Sequence, residues 1–137
     1  MASSVRGYMK NTLDPLFSKY IRIKEAVKAN GYVKCVTCGK VREWDDQMEA
    51  GHYVSRDKRA TKYDERNVHI QCKSCNSYHG GEIAEYAAYL LSEYGADIIT
   101  ELVQKGREYK KFTLDELKEM AKIYRKRIRD MGYGHVI

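Results

Sequence analysis

The stretch that decides the fold runs from Cys35-Val-Thr-Cys38 to Asn67-Val-His-Ile-Gln-Cys72-Lys-Ser-Cys75-Asn76, with Gly51-His52 between its two ends. Each Cys-x-x-Cys pair suits a tight turn that brings two thiolates to one ion, and four thiolates complete the tetrahedral shell of a structural zinc. A redox Cys-x-x-Cys would need a βαβ setting, which is absent here. The sequence therefore predicts one structural Zn²⁺ on Cys35, Cys38, Cys72 and Cys75. A closed shell of four cysteines leaves no position for substrate, so this zinc should stabilise the fold and take no part in chemistry.

The composition of the 137 residues favours a partner that is a polyanion. The formal net charge is +6 and the pI is about 9.1, a balance that is typical of many nucleic-acid-binding proteins. The N-terminal residues lack the apolar run of a signal peptide, and no segment approaches the roughly 20 apolar residues of a membrane span. We expect a cytoplasmic protein without membrane contact, in a compartment where clustered cysteines bind metal more often than they form disulfides.

The chain is expected to form one α+β domain over residues 1–137. Asp14-Pro15 can open a helix, and Thr113 with Glu116 forms a capping box for the last one. Alternating apolar residues predict strands over 48–54 and 67–72, joined by a charged loop over 55–65. The expected parts are a loose arm (1–11), a helix (12–31), a zinc-containing core (32–81), a helical region (82–131) and a tail (132–137).

A strand ending in His, a loop, a strand starting at Asn and a helix after a Cys-x-x-Cys are the layout of the ββα-metal, or His-Asn-His, nucleases. The predicted fold is thus a zinc-knuckle ββα-metal core flanked by an N-terminal helix and C-terminal helices. Because side chains alternate along a strand, Asn67, His69 and Gln71 share one face. We expect that polar face to lie opposite His52.

The chemistry of such a nuclease assigns a role to each polar residue. A neutral imidazole accepts a proton from the attacking water, which suits His52. An amide must hold the loop, which suits Asn67. A catalytic Mg²⁺ or Mn²⁺ needs hard ligands, for which Asn76 and His69 rank first. His79 and Glu49 are further candidates, because Gly51 stands where most of these nucleases have a metal-binding acid.

Basic residues of the predicted loop can contact phosphates. A charged loop is usually only solvated, but beside a nuclease site phosphate contact is the better interpretation. The candidates are Arg56, Lys58, Arg59, Lys62 and Arg66. The basic C-terminal helix fits a DNA contact or an exposed helix face equally well.

The segments EAGHYVSR (49–56) and TKYDERNVHIQCKSCNSYHGG (61–81) resemble the NinG or Rap family of phage recombination proteins. The resemblance covers residues 12–95 and leaves out the C-terminal helix. It implies a structure-specific endonuclease, in a phage-infected or prophage-bearing host, that acts on branched recombination intermediates such as Holliday junctions and D-loops. Family positions match at Glu49, His52, Asn67, His69, Asn76 and in the 55–56 and 61–64 segments.

Two other functions remain open from the sequence. One is a non-catalytic zinc-knuckle module that binds DNA as a recombination accessory factor. The other is a sequence-specific His-Asn-His nuclease, although the chain has little room for a separate base-reading element. Two symmetric cuts at a junction would suit a homodimer.

Overall fold

The computed structural model describes residues 4–137 and begins with a long helical segment. Helix α1 (Val5–Tyr8) runs through a π-helical turn (Met9–Leu13) into α2 (Asp14–Ala26). The predicted loose arm is therefore wrong from Val5 onward, while residues 1–3 lie outside the described part. The segment is ordered because Met9 and Leu13 are buried in the core. The expected cap at Asp14 is also wrong, since the helix continues through that residue.

Two small antiparallel sheets form the centre of the fold. Strands β1 (Tyr32–Lys34) and β2 (Val41–Glu43) make the first sheet, and the turn between them carries the first cysteine pair. Strands β3 (Met48–His52) and β4 (Val68–Cys72) make the second. The strands predicted over 48–54 and 67–72 correspond to β3 and β4, and β2 was missed.

The register of the second sheet corrects one prediction about the site. His52 lies opposite Val68, and Gly51 lies opposite His69. Residues directly opposed across an antiparallel pair share a face, so His52 shares the face of the aliphatic Val68. His69 and Gln71 lie on the other face, and the expectation that they face His52 is wrong.

The segment between the two strands is more ordered than predicted. It contains one turn of helix, α3 (Arg59–Lys62), and a 3-10 turn (Glu65–Asn67). Within this charged segment the side chain of Thr61 is fully buried. A π-helical turn (Ser74–Tyr78) follows β4, where a short helix was expected.

Three helices complete the chain. Helices α4 (Ile83–Tyr94) and α5 (Ile98–Gly106) lie in the region that was predicted to be helical. Helix α6 (Leu114–Asp130) has the predicted capping box, with Thr113 and Glu116 each satisfying the other's backbone N–H. A 3-10 turn (Gly134–Val136) ends the chain.

Two hydrophobic clusters hold these elements together. The larger joins α2, both sheets and α6, and the smaller joins α4 and α5 through Tyr86, Leu90, Ile98 and Leu102. The fold is a mixed α+β structure, as predicted. None of the helices in residues 4–137 combines the length and apolar character needed to cross a membrane.

Candidate metal centre and active site

The four cysteines form one cluster, as the sequence predicted. Their Sγ atoms all lie within 4.8 Å of one another. The Sγ atoms of Cys38 and Cys72 are 3.7 Å apart, close to the separation of about 3.8 Å that a tetrahedral ion with 2.3 Å Zn–S bonds requires. The cluster can therefore bind one zinc.

Backbone contacts bring the two cysteine pairs together. The Val36 N–H donates to the Ile70 carbonyl at 2.9 Å, which joins the first turn to β4. The Cys75 N–H points to Cys72 Sγ at 3.5 Å. Burial would raise the pKa of the Cys35 thiol, but hydrogen bonds from Thr37 and from backbone groups bring it down to about 6. Cys35 is thus favoured as a thiolate, the form that binds a metal. Burial raises the pKa of the Cys75 thiol to about 12 when no metal is bound.

A cavity of about 560 Å³ lies between α2, the end of β3, the following loop and the turn after β4. None of the four cysteines lines this cavity. Its lining includes Asp14, Glu49, His52, Arg56, Lys62, Tyr63 and Asn76.

The imidazole of His52 is held in one orientation by the protein backbone. Its Nε2 lies 2.8 Å from the Lys62 carbonyl oxygen. A carbonyl can only accept, so Nε2 carries the hydrogen, and in the neutral ring Nδ1 is the basic nitrogen. Burial lowers the pKa of His52, and the positive charges of Arg56 and Lys62 act in the same direction. The ring is therefore neutral at pH 7 and can accept a proton at Nδ1.

The side chain of Asn67 fixes the segment that contains Lys62, whose carbonyl is the hydrogen-bond partner of His52. The Asn67 side chain is fully buried. Its Oδ1 accepts from the Val54 N–H at 2.7 Å, and its Nδ2 donates to the carbonyls of Val54 and Thr61 at 3.0 and 3.2 Å. One amide thus ties the end of β3 to the residue that precedes Lys62.

Glu49 and Asn76 meet at the same cavity. The Asn76 Nδ2 donates to Glu49 Oε1 at 2.8 Å, and Ser77 Oγ lies 3.4 Å from the same oxygen. Asn76 comes from the turn directly after Cys75, so the zinc cluster sets its position. Glu49, which the sequence ranked below His69 as a metal ligand, lines the same cavity as His52, whereas His69 does not.

The position before His52 cannot carry an acid without rearrangement. A Cβ at Gly51 would lie 1.9 Å from Gln71 Oε1. The Gln71 amide is buried there and donates to the Gly81 carbonyl at 2.8 Å and to Thr37 Oγ1 at 3.2 Å. Glycine at 51 is therefore required by packing on the face turned away from His52.

Both ring nitrogens of His69 are used inside the protein. Tyr86 donates its hydroxyl hydrogen to the Gly51 carbonyl at 2.7 Å, so it accepts from His69 Nδ1 at 3.2 Å. The Tyr94 hydroxyl then donates to His69 Nε2 at 2.8 Å. Burial, with a smaller contribution from the charge of Lys24, lowers the pKa of His69 to about 4. His69 supports the backbone beside His52 and is not placed to hold an ion in the cavity.

Two predicted site residues, His79 and Arg66, do not line the cavity. The exposed His79 contacts Glu82 at 3.7 Å and does not line the cavity. Arg66 pairs with Asp64 and Glu101 at 3.1 and 2.9 Å, which separates it from the other predicted phosphate contacts.

Two cavity residues were missed by the sequence. Asp14 pairs with the Lys62 ammonium at 3.1 Å and accepts a hydrogen bond from Tyr63. Burial and the neighbouring Asp14 carboxylate raise the pKa of Tyr63 well above its usual range. The partners of Asp14 lie far along the chain, so no local pattern marked this contact.

Comparisons with known proteins identify the family. The model of the family described as Bacteriophage Lambda NinG protein matches residues 2–133, which includes the C-terminal helix. The chain is 28% identical to Protein ninG of Escherichia phage lambda over an alignment of 118 residues that covers 80% of this chain and 56% of that protein. It is equally identical to Protein ninG of Salmonella phage P22, of which it covers 57%. The chain spans little more than half the length of these relatives. No solved structure shows a significant match. The chain belongs to the NinG family.

Proposed function

We propose that this protein is a metal-dependent DNA endonuclease of the ββα-metal type that cleaves branched recombination intermediates. The observation that carries the proposal is the held imidazole of His52, which presents its basic nitrogen beside a polar cavity. His52 Nδ1 has no hydrogen-bond partner within residues 4–137, whereas both ring nitrogens of His69 are hydrogen-bonded inside the protein.

The order of elements around the cavity supports the proposal. A hairpin of β3 and β4 is followed by a helical turn, and each of the three contributes one polar group of the predicted kind. They are His52 from β3, Asn67 from the position directly before β4 and Asn76 from the turn. This layout needs an amide that holds the loop, and the three hydrogen bonds of Asn67 can do so.

His52 and the basic residues of the cavity suffice for part of the chemistry. Nδ1 accepts a proton from the attacking water, and the oxygen forms a bond to phosphorus as the bond to the 3′ oxygen breaks. Arg56 is exposed at the cavity and can contact a phosphate beside the scissile one. Lys62 is paired with Asp14 at 3.1 Å. The lowered pKa of His52 comes mainly from burial, to which the charges of Arg56 and Lys62 add a smaller contribution.

The donors at the cavity fit a hard divalent cation. Glu49 offers a carboxylate and Asn76 an amide, and Mg²⁺ is commonly held by one or two such oxygen ligands together with water and substrate phosphates. Within the described residues, the four cysteines are the one group of three or more His, Cys, Asp or Glu side chains that could hold an ion. At the cavity the protein would therefore supply only Glu49 and Asn76 as ligands, and water and phosphate would supply the others. When bound beside Glu49 and Asn76, Mg²⁺ or Mn²⁺ supplies positive charge that stabilises the phosphate and the leaving oxygen.

The experiment compares DNA structures and metals. Purified protein and His52→Ala are incubated with four-way, flap and linear duplex DNA, with and without Mg²⁺ or Mn²⁺. We expect cleavage of the branched substrates by the wild type in the presence of a metal, and binding without cleavage by His52→Ala. No cleavage of any substrate with any metal would leave the DNA-binding accessory module as the function. Equal cleavage of linear duplex would reject the preference for branches.

A further inference from the structure

A line of basic cavities leads away from the His52 site. The second cavity, of about 280 Å³, shares Arg56 and Lys62 with the first. The third, of about 470 Å³, shares Asp57 and Arg59 with the second. We call the second and third cavities together the basic trough. Its cationic lining comes from three separate segments and consists of Arg6, Lys10, Arg56, Lys58, Arg59, Lys62, Arg107, Lys110 and Lys111.

Most of these cations are available to a ligand. Lys62 pairs with Asp14 and Lys110 pairs with Glu116. None of the other trough cations forms an ion pair within residues 4–137. Asp57 and Glu108 are the acids in the trough lining, so the trough presents a strong excess of positive charge.

Packing fixes the far wall of the trough in place. Gly106, buried at the end of α5, comes so close to the loop after β3 that a Cβ there would lie 2.9 Å from Val54 Cγ1 and 3.8 Å from Lys58 Cβ. This close approach sets the segment 107–111 directly beside the loop that carries Arg56 and Lys58. Val54 therefore packs against the far wall of the trough and is also held by the Asn67 amide beside the His52 site.

Tyr109 stands out in this wall. Its side chain is 87% exposed, the highest value among the large hydrophobic residues described. It lies between Glu108 and Lys110 in a segment without regular secondary structure. An aromatic ring held out among lysines and arginines has the composition of single-strand binding sites, where bases stack on aromatic side chains and cations follow the backbone.

We infer that the basic trough binds a single-stranded DNA arm next to the cleaved duplex, with Tyr109 stacked on one of its bases. This rests on the proposed function, because it assigns the substrate that the His52 site would cut. A linear duplex offers no exposed base face to Tyr109, whereas a flap or D-loop does. The inference thereby names a physical source for a preference for flaps and D-loops over linear duplex.

Binding is measured in the His52→Ala background, so the outcome does not depend on whether the wild type cleaves. The probes are a fluorescein-labelled flap with a single-stranded oligo-dT arm and the matched linear duplex, followed by anisotropy. Tyr109→Ala is compared with Tyr109→Phe, which keeps the ring. Tyr32→Ala is the matched control, because Tyr32 is also exposed and lines a cavity that shares no residue with the trough.

Stacking is worth about 1–3 kcal/mol per base, so Tyr109→Ala should weaken flap binding by roughly 5- to 150-fold. Duplex binding should stay within twofold, and Tyr109→Phe should bind the flap like its parent. If Tyr109→Ala bound the flap as tightly as its parent, or lost equal affinity for flap and duplex, the inference would be wrong. The cleavage comparison between wild type and His52→Ala would not be affected by either result.

A second set of variants tests the charges. Lys58→Gln, Arg107→Gln and Lys111→Gln are combined, and Lys118→Gln, Lys122→Gln and Arg129→Gln on the exposed face of α6 are the equal-charge control. Each lost phosphate contact should reduce the slope of log affinity against log salt by about 0.7 to 0.9. The slope of log affinity against log salt should therefore become smaller by about 2 to 3 for the trough variant and should not change for the α6 variant. Equal losses in both would show general electrostatic attraction and reject the trough.

Discussion

The side-chain amide of Asn67 hydrogen-bonds both backbone groups of Val54, accepting from its N–H at 2.7 Å and donating to its carbonyl at 3.0 Å. A third bond reaches the Thr61 carbonyl. Asn67 thus works as a clamp that closes the connection between β3 and β4. Lys62 directly follows Thr61, so the clamp also positions the Lys62 carbonyl that orients the His52 ring.

The clamp predicts a large effect from a small change. Asn67→Asp keeps the shape and the acceptor but sets a buried carboxylate oxygen against two carbonyl oxygens. A buried group left unsatisfied costs about 1–3 kcal/mol, and more when it is charged. We expect the free energy of unfolding to fall by at least that amount in urea denaturation. A variant as stable as the wild type would contradict the clamp.

Gly51 and Gln71 provide a test of packing beside the base. Gly51→Ala should destabilise the protein by about 1–3 kcal/mol, because its new methyl overlaps the Gln71 amide. In a Gln71→Ala background the same change should cost much less. A double-mutant cycle of unfolding free energies measures this coupling. Equal costs in the two backgrounds would show that Gln71 is not the obstacle.

Zinc removal should unfold the central part of the chain. A structural zinc in a small protein supplies on the order of 10 kcal/mol, as much as the whole stability of a typical domain. We expect elemental analysis to find one zinc per chain, and the cooperative thermal transition to disappear after chelation. Added zinc should restore the transition and added Mg²⁺ should not. An unchanged transition in the metal-free protein would contradict a structural role.

His69 predicts a loss of stability in acid. Its folded pKa of about 4 lies below the unfolded value of about 6.5. The unfolded chain therefore binds more protons between these values, and stability falls as the pH drops from 6.5 towards 4. At about 1.4 kcal/mol per unit, the loss can reach roughly 3 kcal/mol.

The control for this prediction is His69→Phe, which keeps a ring among Tyr86, Tyr89 and Tyr94 but cannot be protonated. Its unfolding free energy should depend less on pH than that of the wild type across this window. Zinc ligands are the same in both proteins, so the difference between the two curves isolates His69. Parallel curves would contradict the lowered pKa.

The sequence predicted the features that depend on local chemistry. The cysteine spacing predicted the metal cluster, and Thr113 with Glu116 predicted the start of α6, because each pattern acts within one turn. Asn76 was predicted to lie at the site because it follows Cys75 directly, but its hydrogen bond to Glu49 was not predicted.

The features that the sequence could not predict depend on pairing over long distances. Alternation correctly divided His69 from Val68 but did not say which face meets His52, because that is set by the register against β3. The helix over Val5–Tyr8 was missed because Met9 and Leu13 are too few to form a visible stripe without their partners in the core. Tyr109 lay in a short charged segment that carries no secondary-structure pattern.

Chemical rescue of His52→Ala by imidazole shows whether His52 is the general base of a nuclease. Single-turnover cleavage of a branched DNA in Mg²⁺ is compared for the wild type and His52→Ala, with zinc content and DNA affinity matched. We predict a 10²- to 10⁴-fold slower rate in the variant, which is the usual contribution of a general base. Added imidazole should restore part of that rate, in proportion to its neutral form. Cleavage by His52→Ala at the wild-type rate would contradict the account.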